Sequence, residues 1–277
     1  MAERFYLLPI VKNVGGKTWF RHEAWLYYSR ACKSRDIDMR WVDPFCGGMA
    51  IPLYILPNNA WLNDLNTHLV NFYRQIISVG KMPNMEQDIN EERYYQIRNK
   101  FNEHIKSGNT DTLEMAEMYY YLNKVCYGGL SRYNDSGLFN APYGKANKPS
   151  MKQEFQLYKE VLSDWKITSL NYSDVLSQVD EDDFLFIDPP YHQTFNKYIK
   201  RSFTWEDQVN IVESLSKLNN PIVATNSYNE QIIELYTSNG FELSHRWRKN
   251  NFQQARADKA RSEKFKEAIF VKNISID

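Results

Sequence analysis

Two spacings of apolar positions alternate along the chain. Short apolar runs closed by acids, glycine or proline occur at residues 40–43, 60–64, 166–170, 184–187 and 221–225, and their brevity predicts buried strands. Longer stretches with apolar residues at helical spacing predict helices over 67–78, 91–105, 113–125, 206–218 and 230–238. Residues 241–247 and 268–272 predict a closing antiparallel pair. Strands alternating with helices imply an α/β fold with a mostly parallel sheet covered on both faces. A helical block starting near Glu91 interrupts the alternation, and from 127 to 149 the composition turns to Gly, Asn, Ser, Pro, Tyr and Arg, the mark of a long loop or hairpin. A run that long inside a compact domain is usually functional. The expected organisation is a core unit of residues 1–80 and 150–277, with a mainly helical unit of 81–149 inserted into it.

With 277 residues the chain can bury a full core, and its 43% hydrophobic and 25% charged content is that of an ordinary globular protein. No apolar stretch approaches the length of a membrane span, and the N-terminus shows no export signal, so no membrane partner is expected. Cys32, Cys46 and Cys126 are odd in number and widely spaced, which points to reduced thiols in cytoplasm. They form no metal-ligand spacing with the five histidines, so no metal is expected, and a zinc deaminase, which also acts on the exocyclic amine of a base, is disfavoured. Net charge is zero, but Arg246, Arg248, Lys249, Arg256, Lys259, Arg261, Lys264 and Lys266 crowd one stretch against only Asp258 and Glu263. Such a stretch can follow phosphates or simply face solvent.

The chemistry concentrates at the ends of two strands. Asp188-Pro189-Pro190-Tyr191 follows the run 184–187, and the C-terminal end of a strand is where open α/β sheets place ligands. The prolines fix φ and remove two donors, while the Pro189 carbonyl remains an acceptor. Carboxylate and carbonyl can both accept from an exocyclic NH₂, and Tyr191 can stack on the ring that carries it. The other end is the turn Asp43-Pro44-Phe45-Cys46-Gly47-Gly48, whose adjacent glycines admit a ligand close to backbone, with Asp64 at the end of the next strand suited to ribose hydroxyls. The turn lacks the G-x-G-x-x-G spacing and carries no G-K-[ST] loop. A cofactor with adenosine but no pyrophosphate fits it better.

These pieces, with Gly15-Gly16-Lys17, Asn63-Asp64, the stretches 127–134 and 137–145, Tyr198, Phe203 and Thr225-Asn226-Ser227, resemble the DNA adenine-N6 methyltransferase (Dam) family in order and spacing over nearly the whole chain. The resemblance implies a Rossmann-like S-adenosylmethionine-dependent methyltransferase fold in which residues 81–149 recognise the target. It implies cofactor contacts from Asn13, Lys17, Asp43, Phe45, Cys46, Gly47, Gly48, Asp64 and Asp188, and catalysis by Asp188, Pro189, Pro190 and Tyr191. Double-stranded DNA is the implied partner, contacted by Lys12, Tyr127, Gly128, Leu130, Arg132, Asn140, Pro142, Lys145 and Tyr198. Asn13 stands where the family commonly has an aromatic residue, and Gly128 where an asparagine is frequent. Because the amine is inaccessible in a duplex, the adenine must flip out, with Tyr127 filling the gap and Arg132 reading a base edge in the major groove. A short palindrome of the GATC type, and a bacterial or phage-encoded protein acting in cytoplasm, are expected. Methylation of RNA, a catalytically silent DNA-binding protein of the same fold and a nicotinamide-dependent oxidoreductase stand as alternatives; the missing dinucleotide spacing disfavours the last.

Overall fold

The computed structural model describes residues 5–13, 15–84, 86–145, 149, 151–191, 203–249 and 264–275. Its centre is a seven-stranded sheet made of β1 (Arg40–Asp43), β2 (Ala60–Asn63), β3 (Lys166–Thr168), β4 (Asp183–Ile187), β5 (Ile222–Ser227), β6 (Glu242–Lys249) and β7 (Lys264–Lys272), in the order β3-β2-β1-β4-β5-β7-β6. The first five strands pair in parallel, and β7 runs antiparallel to both β5 and β6. Successive side chains of β1, β2, β4, β5 and β7 enter opposite cores. Trp41, Phe184 and Phe186 join one cluster, whereas Val42, Leu185 and Ile187 join the other. Burial on both faces is why these strands read as unbroken apolar runs.

Helices α1 (Arg21–Arg35), α2 (Pro52–Ile55), α3 (Thr67–Val79), α4 (Glu91–Ser107), α5 (Leu113–Val125), α6 (Gln156–Leu162), α7 (Tyr172–Leu176), α8 (Trp205–Ser216) and α9 (Glu230–Ser238) cover the sheet and the interrupting block. Six of them start at side-chain caps: Asn66, Asn90, Thr112, Asn171 and Asn229 each accept from a backbone N–H of the first turn, and Thr204 forms a reciprocal capping box with Asp207. The five helices expected from apolar spacing are present, as is the closing pair β6–β7. Helices α1, α2, α6 and α7 were not expected. In α1 the inward positions are Ala24, Tyr27, Tyr28 and Ala31, helical in spacing but small or half-polar, so they leave little hydrophobic contrast. The other three have only four to seven residues, too short for a period to register. Within the interrupting block, Tyr94, Phe101, Tyr119 and Tyr120 belong to the same apolar cluster as Trp41 and Phe186, and α5 packs on α3.

Strand β1 is followed in sequence by its neighbour on one side, β2, whereas β4 flanks it on the other. The chain order therefore reverses at the β1–β4 boundary, and a crevice opens beyond the carboxyl ends of these two strands. At the opposite ends Arg40 grips Asp183, donating from Nε and Nη2 at 2.7 and 2.6 Å, and reaches Asp180 at 3.0 Å. Asp183 is buried and Arg40 a quarter exposed. No helix of the described residues is long and apolar enough to cross a membrane.

Replacing Arg40 with Met should lower the free energy of unfolding by roughly 3 kcal/mol, because the buried Asp183 carboxylate loses the partner that justifies its charge. Urea denaturation measures this, and a loss below about 0.5 kcal/mol would assign the pair to the weak surface class.

Candidate functional site

The crevice floor is the turn after β1. Asp43 Oδ1 accepts from the Phe45 N–H at 2.9 Å, and the Cys46 N–H donates to the Asn63 carbonyl at 2.8 Å. Gly47 has φ +46°, and a Cβ there would lie 2.1 Å from Asn13 Nδ2, so the turn accepts no side chain without displacing Asn13. Asp64 ties the turn from behind: its Oδ2 accepts from the Gly47 N–H at 3.0 Å and its Oδ1 from the Asn66 N–H at 2.8 Å. Burial raises the pKa of Asp64, offset by the Asn66 and Gly47 donors. Burial also holds Asp43 well above the usual carboxylate range, with its Phe45 hydrogen bond opposing and the neighbouring Asp188 and Asp64 charges adding to it.

Asp188 lies one residue beyond β4 and is held on both oxygens. Lys17 Nζ stands 2.9 Å from Oδ2, and Thr225 Oγ1 donates to Oδ1 at 2.7 Å. Burial raises the Asp188 pKa, countered chiefly by Lys17 and then by the Thr225 hydroxyl. Lys17 also donates to the Gly15 carbonyl at 2.8 Å, sits 4.9 Å from the centre of the Tyr191 ring and has a second carboxylate, Glu267 on β7, at 4.0 Å. Tyr191 is anchored by its hydroxyl, which donates to Glu267 Oε2 at 2.9 Å. The Pro190 carbonyl accepts from Gln208 Nε2 at 2.8 Å, whose own Oε1 accepts from Asn226. Around this corner the carboxylates of Asp43, Asp64, Asp188 and Glu267 outnumber the Lys17 ammonium among the described residues. The site is arranged to welcome a cation.

A cavity of about 210 Å³ is lined by Asn13, Lys17, Asp43, Phe45, Cys46, Gly48 and Asp188, together with Pro9, Val11, Ile51 and Phe186. Most residues expected at a cofactor pocket thus share one space. Gly47 and Asp64 do not line it: Gly47 lies under the Asn13 side chain, and Asp64 holds the turn through the Gly47 N–H. Burial raises the Cys46 thiol pKa well above its usual range, so Cys46 presents a neutral wall. Among the described residues no group of His, Cys, Asp and Glu is arranged to hold a metal ion.

Of the residues expected at DNA, Tyr127, Gly128, Leu130, Arg132, Asn140, Pro142 and Lys145 lie on one loop, and Lys12 lies beside it on the N-terminal segment. After α5 the 3-10 turn Tyr127–Gly129 enters a hairpin-like loop closed by the Cys126–Tyr143 and Tyr133–Phe139 bridges. The Tyr127 side chain is 45% exposed, and Lys12, Gly128, Arg132, Pro142 and Lys145 are also exposed, whereas Leu130 and Asn140 are half-buried. Gly128, at φ +66°, permits the turn. Arg132 does not reach out unpaired: its Nε donates to Asn140 Oδ1 at 2.9 Å and its Nη2 to the Asn140 carbonyl at 3.2 Å. Tyr198 and the basic residues Arg256, Lys259 and Arg261 lie outside the described residues; Arg246, from the same basic stretch, pairs with Glu23 at 2.8 Å.

Three residues of this corner escaped the sequence reading as contributors to the site. Glu267 is a single acid in the apolar strand β7, Gln208 a single amide on the buried face of α8, and Asn123 a fully buried amide near the end of α5. A polar residue at an apolar-phase position is a usable signal, because such a group must find partners. Only the fold says which partners.

Residues 32–252 match the family model described as D12 class N6 adenine-specific DNA methyltransferase. A type II methyltransferase of Methanocaldococcus jannaschii is 27% identical over 247 residues, 80% of this chain and 84% of that protein. The Retron Ec67 DNA adenine methylase of Escherichia coli is 30% identical over 207 residues, 71% of this chain and 72% of that protein. The DNA N-6-adenine-methyltransferase of Escherichia phage P1 is 31% identical over 219 residues, 74% of this chain but only 28% of that longer protein.

Proposed function

The chain belongs to the D12 class N6 adenine-specific DNA methyltransferases, and from that premise we propose that Asp188, Pro189, Pro190 and Tyr191 clamp a flipped adenine at the carboxyl end of β4. The activity is methyl transfer to the N6 amine of adenine in DNA, with S-adenosylmethionine as donor. When bound, this cofactor supplies an electrophilic methyl group on a positively charged sulfur. The residues fit it: the glycine turn leaves room beside backbone, and the surplus of carboxylates around Lys17 complements a sulfonium cation. Asn13, Lys17, Asp43, Phe45, Cys46 and Gly48 would line its pocket, with Gly47 leaving room for Asn13 and Asp64 bracing the turn.

The observation that carries the reading is the Lys17–Asp188 ion pair across the mouth of the glycine turn. The adenine N6 lone pair is delocalised into the ring, so the amine becomes a nucleophile only when acceptors draw its two N–H bonds out of plane. Asp188 is one acceptor. The Pro189 carbonyl, which receives no donor from the described residues, is the other. Asp188 is kept in position by Thr225, and Glu267 offers Lys17 a second carboxylate when an amine competes for Asp188 Oδ2. The proton lost by the amine as the N–C bond forms finds a stronger base in a carboxylate whose pKa burial has raised. Tyr191, braced by Glu267, presents its ring to the base.

Residues 81–149 serve as the target-recognition unit on this reading. Tyr127 fills the gap left by the flipped base, Leu130 and Pro142 make apolar contacts, and Lys12, Gly128, Asn140, Lys145 and Tyr198 lie along the duplex. The contacts of Arg132 to Asn140 use two of its five N–H donors and hold the guanidinium flat, leaving a pair free for a guanine edge. A GATC-like palindrome is the proposed target, methylated in the cytoplasm of a bacterium or of a phage's bacterial host. Transfer of labelled methyl from S-adenosylmethionine to duplex DNA, with an RNA of the same sequence alongside, tests the reading; label on the RNA alone would overturn it.

Asp188→Ala should reduce turnover by at least about a hundredfold while circular dichroism stays unchanged, the scale of removing one preorganised electrostatic partner. Single-turnover rates near those of the parent would refute the clamp.

Cofactor affinity should rise with pH. Asp43, Asp64 and Asp188 have raised pKa values in the free protein, and a bound cation favours their charged forms. Their pKa values are therefore lower in the complex, binding releases protons, and affinity falls as pH drops through the raised free-state values. Calorimetry in buffers of different ionisation heat counts those protons. S-adenosylhomocysteine, which lacks the sulfonium charge, should release fewer, and equal release by both ligands would sink the charge argument.

Arg132→Ala should cut the preference for the cognate duplex over one with a single changed base pair by roughly tenfold, since a bidentate base contact carries about 1–3 kcal/mol. A uniform loss on both duplexes would reassign Arg132 to phosphate.

A further inference from the structure

Asn123 is a fully buried amide near the C-terminal end of α5, and its bonds run to two segments distant in sequence. Its Oδ1 accepts from the Lys12 N–H at 2.8 Å, and its Nδ2 donates to the Lys12 carbonyl at 2.8 Å and to Ser131 Oγ at 3.1 Å. One side chain thus satisfies both backbone groups of Lys12, as a neighbouring strand would. Helix α5 needs no such residue for its own stability, and an apolar side chain would suit that buried position. The second half of the junction is steric. Gly129, at φ +69°, lies under Lys12, and a Cβ there would be 2.4 Å from Lys12 Cδ and 2.6 Å from its Cβ. Lys12 is clipped between α5 and the turn that opens the hairpin.

The residues that follow Lys12 build the cofactor pocket. Asn13 covers Gly47 and Gly48, and Lys17 holds Asp188. A strap of residues 12–13 and 15–17 therefore links the foot of the hairpin, at Lys12, to Asp188, at Lys17, and Asn123 fastens its outer end to Ser131 of the hairpin. We propose that Asn123 is a positioning residue that couples cofactor occupancy to DNA engagement: a ligand that fixes Asn13 and Lys17 fixes Lys12, and through Asn123 and Gly129 it fixes the hairpin. The inference rests on the reading that the strap binds cofactor and the hairpin binds DNA. It adds to that reading a free-energy link between the two, which must be reciprocal.

The test measures affinity for a fluorescent duplex carrying the methylated site, identified beforehand by modified-base sequencing of a treated plasmid, with and without the unreactive analogue sinefungin. In the parent protein the analogue should tighten duplex binding by about tenfold, within the usual range of coupling. Asn123→Leu, which removes the amide while keeping the same number and branching of side-chain heavy atoms, should bring that ratio close to one, and the duplex should then no longer tighten sinefungin binding. Ser131→Ala keeps both Lys12 bonds and removes the Asn123 bond to the hairpin, together with the hydrogen bond between the Ser131 hydroxyl and Tyr119. It should reduce the ratio at least threefold with sinefungin affinity alone unchanged, and it serves if Asn123→Leu does not fold. A parental ratio of one, or an unaltered ratio in the variants that fold, overturns the coupling. Arg132→Ala separates the two readings: if it keeps the full preference for the cognate duplex, the hairpin reading fails, whereas lost preference there with unaltered coupling in the variants fails the coupling alone.

Discussion

Asp188 sits where a parallel sheet delivers its strand ends into a crevice, at the boundary where chain order reverses, and water is largely excluded. A carboxylate in that position is expensive unless compensated. Lys17 compensates it at 2.9 Å and Thr225 completes its hydrogen bonding at 2.7 Å. Much of the site follows from that requirement. Lys17 must be brought from a distant part of the sequence, and Asn13 beside it comes to lie over the glycine turn. Gly47 and Gly48 must lack side chains because Asn13 occupies the space above them. Glu267 and Tyr191 then close the other side of the ammonium.

Held this way, the carboxylate is poised but not free. An isolated Asp-Pro-Pro-Tyr suggests an open acceptor waiting for an amine; in the fold both oxygens already have partners and the tyrosine hydroxyl is tied to β7. On the proposed function, substrate entry would exchange these partners, with a second carboxylate, Glu267, 4.0 Å from Lys17 to receive it. The same logic governs Arg132, whose bond to Asn140 costs it freedom but fixes the plane of its remaining donors. In both cases the residue proposed to meet substrate is held in place by one that is not.

The interrupting helical segment is not an appendage. α5 packs against α3, their aromatic residues share a cluster with the sheet, and the buried Asn123 holds the N-terminal strap. The loop that follows α5 and the cavity beside the glycine turn are thus mounted on common framework.

Local pattern determined a good deal by itself. The runs at 184–187 and 221–225 are strands because they are buried on both faces and cannot alternate, and α9 matches residues 230–238 because Asn229 caps it and apolar spacing sustains it. The glycine turn, the Asp-Pro-Pro-Tyr strand end and the Gly-rich hairpin were legible because each needs particular residue types at adjacent positions. α1 was not legible, since alanine and tyrosine carry its inward face. Nor were Glu267, Gln208 and Asn123 readable as parts of the site. Their roles depend on contacts between residues 76, 18 and 111 positions apart in the chain, and a side chain's partner across such a separation is decided by which strands and helices pack together. Sequence determined which chemical groups the protein has and the local frames that present them. Tertiary structure alone decided which charge faces which, because burial and distance, the quantities that set the strength of every ionic and hydrogen-bonded contact here, exist only once the chain has folded.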